Sequence, residues 1–126
     1  MSNLIDHPSH YAEATHGIPG ECITYTEHLG FVRGNAFKYV WRSGFKDSPA
    51  QDLHKALWYI RRDITHGGST NPDDRPGHLS YALSSGPMTL RRRILINIWS
   101  RRDLTATADL LHIAINSTQQ TLDEEI

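Results

Sequence analysis

The chain has 126 residues, 38% of them hydrophobic, a formal net charge of -1 at pH 7 and one cysteine, which makes it one domain's length and able to bury a continuous core without cross-links. The lone Cys22 excludes an internal disulfide, no run approaches the roughly 18 apolar residues of a membrane span, and the N-terminus has no signal-peptide pattern, so a soluble, cytoplasmic protein is expected. The near-neutral total hides a segregation: Phe31 to His66 holds seven Lys or Arg (Arg33, Lys38, Arg42, Lys46, Lys55, Arg61, Arg62) against three acids (Asp47, Asp52, Asp63), and the charged residues of 1–30 are all acidic. The middle of the chain can therefore hold a phosphate.

The opening segment, through Gly17-Ile18-Pro19-Gly20, has prolines, glycines and no sustained period, and reads as an extended arm. Cys22, Ile23, Thr26 and Leu29 fit one short helix over Glu21 to Leu29 that Gly30 can end. A second helix over Val32 to Ser43 puts Phe37, Val40 and Trp41 on one stripe and Asn35, Lys38 and Arg42 on another, with Gly44 as its stop. Ser48, Pro49 and Gln51 give the clearest boundary: an N-cap, a first-turn proline and a capping-box glutamine. The helix they start runs to about His66, burying Leu53, Ala56, Leu57, Ile60 and Ile64 and turning Asp52, Lys55, Tyr59 and Arg62 the other way.

Residues 67–87 are rich in Gly, Pro, Ser and Asp and read as a long central loop, a lid or a linker. Two further helices follow, Met88 to Trp99 and Leu104 to Thr118. As amphipathic helices appended to an already plausible core, they are expected to bury their outer faces against another copy, which predicts self-association as a homo-oligomer. The expectation is a single all-α domain over 1–126: a compact bundle of about five helices with an extended N-terminal arm and a long central loop. The basic groups Arg91 to Arg93 and Arg101-Arg102 read first as solvated helix faces and second as a nucleic-acid or protein contact, which the near-neutral total charge disfavours.

The chain has no phosphate-binding Walker pattern, no dinucleotide fingerprint, no CxxC pair and no HExxH. Lys38, Arg42, Lys46 and Lys55 can supply cations to a phosphate from two neighbouring helices, and Asn35 an amide. The bland alternative is a solvated basic face. His7 and His10, three apart beside a proline, can act as phosphate donors, a proton carrier or metal ligands, or simply belong to a surface arm; two histidines do not make a metal site, and no metal site is assigned. Tyr11, Tyr39, Trp41, Trp58 and Tyr59 can offer faces for a base. Trp41 and Trp58 are expected in the core, leaving Tyr11 and Tyr59 as ligand candidates. Glu21 and Cys22 sit at a helix start, where no catalytic thiol is expected. Asp52 lies in a first turn, where it can serve the helix dipole, hold Lys55 or meet a magnesium-bound phosphate.

The blocks His7-Pro8-Ser9-His10-Tyr11, Glu21-Cys22-Ile23, Gly34-Asn35-Ala36-Phe37-Lys38-Tyr39-Val40-Trp41-Arg42, Lys46 and Asp52-Leu53-His54-Lys55-Ala56-Leu57-Trp58-Tyr59 stand in that order. The order resembles a small bacteriophage family of unknown function described as nucleotide kinases, which includes the phage T7 nucleotide kinase. Thr24-Tyr25 departs from the Asp-hydrophobic pair that often follows ECI in that family. The resemblance covers about His7 to Arg62, half of the chain. It implies a helical nucleotide-binding domain at work in the infected host cell, and transfer of a phosphoryl group to a deoxynucleoside monophosphate with ATP and Mg2+ as the implied cofactors. Under that reading His10 or Asp52 assists the acceptor, while His7, Tyr11, Asn35, Lys38, Arg42, Lys46, Lys55 and Tyr59 bind the nucleotide. The alternative is a non-enzymatic binder that sequesters a nucleotide or cyclic nucleotide.

Overall fold

The computed structural model describes residues 17–45, 48–66, 75–117 and 122–125. Its helices are α1 (Cys22–Thr26), α2 (Phe31–Arg42), α3 (Pro49–Thr65), α4 (Gly77–Ser84), α5 (Leu90–Ser100) and α6 (Leu104–Ile115). No strand occurs among the described residues, only an isolated bridge between Thr89 and Glu125. No described helix is long and apolar enough to cross a membrane. The all-α expectation holds, and the arm's residues 1–16 lie outside the described residues.

Helices α2 and α3 form an antiparallel hairpin whose turns are set by local chemistry. Gly30 caps α2 at φ +76°, a left-handed conformation that a side chain would resist, and α2 starts at Phe31, one residue before the expected Val32. The Ser48 hydroxyl accepts the Gln51 backbone N–H at 3.1 Å, with Pro49 in the first turn, which is the cap that the sequence announces. Two buried ion pairs then tie the hairpin: Arg33 Nε to Asp63 Oδ2 at 2.6 Å, and Arg42 Nη2 to Asp52 Oδ1 at 3.2 Å.

Behind the hairpin lies one core. Tyr25 is fully buried, with ring centroids 5.7 Å from each of Phe37, Trp41 and Trp99. Helix α5 packs on α2 and α6 on α3, so Ile94, Leu95, Ile98, Leu111 and Ala114 complete the same core. The inward apolar faces of the last two helices are thus used within the chain, while Ile113 on the last helix stays exposed.

Four sequence expectations change. Part of the expected 67–87 loop is α4, because Leu79 and Leu83, one turn apart among glycine and serines, are buried together. Ile64 is exposed at the end of α3, and Trp58 is 59% exposed rather than core. Arg91 and Arg92 are not solvated. Arg91, wholly buried, donates to the Val40 carbonyl at 2.6 Å, to Ser43 Oγ at 2.7 Å and to the Ser43 carbonyl at 3.0 Å, and grips Asp123 with two bonds. Arg92 donates to the carbonyls of Ala82, Leu83 and Ser85. Each guanidinium therefore caps the C-terminal carbonyls of a neighbouring helix, α2 and α4 respectively, where helices leave acceptors without intrahelical partners.

Candidate functional site

The two ion pairs inside the hairpin take both described acids of the Phe31 to His66 segment, Asp52 and Asp63, out of solvent together with Arg33 and Arg42. Lys38, Lys55, Arg61 and Arg62 stay at the surface. The positive excess read from the sequence is thus concentrated outside the core.

Its centre is Tyr39. Lys38 Nζ lies 4.6 Å, the Arg42 guanidinium carbon 4.9 Å and Lys55 Nζ 5.3 Å from the centroid of its ring, all within reach of the negative π-face. Tyr59 stacks on Tyr39 with centroids 6.0 Å apart, and Phe31 (6.3 Å) and Trp58 (5.0 Å) meet Tyr59 edge-on. One end of the hairpin face is therefore cationic and the other aromatic. Helical spacing explains this: Phe31, Asn35, Lys38 and Arg42 follow one stripe of α2, and Lys55 and Tyr59 lie one turn apart on α3.

Beside the face, between α1 and α2, is an open cavity of about 430 Å³ lined by Thr26, Glu27, Gly30, Phe31, Gly34, Asn35 and Lys38. Helix α1 lies beside Gly34, where a Cβ would sit in ordinary contact with the Thr26 carbonyl oxygen at 3.5 Å. Lys38 belongs to both cavity and cation cluster. Cys22, behind them on α1, is buried and has its thiol pKa pushed up to about 12, by desolvation with a smaller opposing effect of Lys38, so it stays a neutral thiol.

Lys38, Arg42, Lys55 and Tyr59, chosen from the sequence, come together. Asn35 stands apart from the cations: its amide donates to the Phe31 carbonyl at 2.8 Å, and its side chain lines the cavity. Asp52 is corrected. It is 0% exposed and holds Arg42, not Lys55 or a ligand, because its position in the first turn of α3 faces the end of antiparallel α2. In this position Asp52 ties the start of α3 to the end of α2 through Arg42. Arg42 likewise sits between Asp52 and the Tyr39 ring and is only 8% exposed. His7, His10, Tyr11 and Lys46 lie outside the described residues. Tyr39, expected only as one of several faces for a base, is the hub, and the sequence did not single out Phe31 or Glu27; the signal for Phe31 was its place seven residues before Lys38, hidden by starting the helix one residue late. No group of three or more His, Cys, Asp or Glu among the described residues could hold a metal ion.

Compared with known proteins, residues 5–61 match the model of a family described as a protein of unknown function, DUF3310. No curated protein and no solved structure matches the chain. The matched stretch runs through α1 and α2 into α3 and ends at the turn where Tyr59 completes the aromatic face, so the similarity coincides with the elements that build the candidate site.

Proposed function

We propose that the protein binds a nucleotide on the exposed face of the α2–α3 hairpin, its base against Phe31 in the cavity between α1 and α2 and its phosphates on Lys38 and Lys55. The observation that carries this reading is the convergence of Lys38, Lys55 and the Asp52-paired Arg42 on the Tyr39 ring, next to a cavity with Phe31, Asn35 and Glu27 in its wall. Phosphate recognition needs fixed charge, and base recognition needs a π-face or apolar wall with a few polar groups. Two turns of α2 separate Phe31 from Lys38, about 10 Å at 1.5 Å per residue, which suits a ligand with a flat apolar end and an anionic end.

Binding is better supported than phosphoryl transfer. A kinase stabilises charge and positions an acceptor, yet Asp52 is enclosed by its partner Arg42. Transfer at this site would call on His10 of the arm. Incubating the protein with labelled mono-, tri- and cyclic nucleotides, with and without Mg2+, separates the readings: ligand retained and recovered unchanged supports binding alone, a new diphosphate supports a kinase, and retention of no nucleotide sinks both.

A further inference from the structure

Trp58 touches Tyr59 at the edge of the aromatic face but makes none of the mononucleotide contacts proposed above, which use Phe31, Lys38 and Lys55. Trp41 and Trp99 are buried, whereas Trp58 leaves 59% of its surface in water. Single exposed apolar residues are ordinary on protein surfaces, but Trp58 is one of a pair. Phe31 is 76% exposed on the opposite helix of the hairpin, and both rings rest edge-on against the same inner ring, Tyr59, at 5.0 and 6.3 Å. Their centroids are thus at most about 11 Å apart, one on each helix. Tyr59 in turn stacks on Tyr39, the ring that Lys38, Arg42 and Lys55 surround. On α3, Lys55 and Trp58 are three residues apart, on the same side of the helix. A nucleotide held through Lys38 with its base at Phe31 leaves Lys55 within reach of its phosphate and the face of Trp58 empty.

We infer that the site takes a ligand with two nucleobases joined through phosphate, a linear or cyclic dinucleotide, whose linking phosphate lies on Lys38 and Lys55 while one base covers Phe31 and the other covers Trp58. The inference rests on the nucleotide-binding reading and adds the second base to it. Charge and shape agree with that occupant: the cations offer an anion site on one side of Tyr59, and two separate aromatic faces flank it, more than a single base can cover.

The test is equilibrium binding of the four deoxynucleoside monophosphates, their four 5′-phosphorylated homodinucleotides, and cyclic di-adenylate and cyclic di-guanylate, to the wild-type protein and to Trp58→Ala. Base–aromatic stacking is worth roughly 5- to 150-fold in affinity. The best dinucleotide should therefore bind on the order of tenfold or more tighter than the best mononucleotide, and Trp58→Ala should remove that advantage while leaving mononucleotide affinity unchanged. Because Trp58 is exposed, the variant keeps its helical circular dichroism. Dinucleotides that bind no tighter than mononucleotides, or an advantage that survives Trp58→Ala, would overturn the two-base inference and leave the nucleotide-binding reading standing. Failure of every compound to bind would overturn both.

Discussion

Asp52 shows how a residue's chemistry depends on which way its helix turns. From the sequence it is an acid in a first turn with several uses; in the fold it is the buried anchor of Arg42. Removing one partner of a buried pair strands the other charge, so Asp52→Ala is expected to lower unfolding free energy by about 3 to 5 kcal/mol, measured by urea denaturation. A loss below 1 kcal/mol would show that the pair is solvated. Cys22 gives a second residue-scale test. Its thiol pKa is raised from 9.0 to about 12, so the unfolded chain releases this proton before the folded one does. The stability due to the neutral thiol is complete below pH 9 and is lost as pH rises from 9 towards 12. Denaturation at stepped pH should show a decline over that window that is shallower in Cys22→Ala; equal slopes in the two proteins would contradict the assignment.

At the scale of elements, the boundaries carried by local chemistry were legible and those carried by packing were not. Ser48, Pro49 and Gln51 announce α3 by themselves, and Ser48→Ala is expected to cost about 1 kcal/mol, visible as a lower urea midpoint with an unchanged slope. Helix α4 was hidden because its evidence is a pair of leucines, Leu79 and Leu83, that only α5 makes meaningful. Arg91 and Arg92 were misread for the same reason: a run of arginines looks solvated until the carbonyl ends of α2 and α4 are placed against it. Arg91 unites α2, α5 and Asp123 of the C-terminal segment. Arg91→Ala should therefore destabilise the fold far more than Arg93→Ala, whose parent side chain is exposed. Comparable thermal midpoints for the two variants would refute the capping role. The candidate site was half legible for a related reason. Helical spacing predicted that Lys38, Arg42, Lys55 and Tyr59 would converge, but not that Arg42 would be enclosed or Trp58 exposed, since both depend on the rotation of α3 against α2.

On the scale of the whole molecule, a hairpin bearing the candidate site is braced from behind by two helices and capped at its turn end by Arg91. Within the hairpin Asp52 and Asp63 are buried against Arg42 and Arg33 while Lys38, Lys55, Arg61 and Arg62 stay at the surface, which gives the near-neutral chain a locally basic face. The most direct test of the account is nucleotide affinity of the wild-type protein against a Lys38→Ala, Lys55→Ala double variant, measured at low and at moderate salt. Both lysines are half-buried at the surface and neither belongs to the core, so the double variant should stay folded by circular dichroism. Charge-assisted contacts contribute about 1.5 to 3 kcal/mol each, so affinity should fall by on the order of tenfold or more, and its salt dependence should flatten. A folded double variant that binds nucleotide as tightly as wild type, with the same response to salt, would contradict the placement of phosphate on the α2–α3 face.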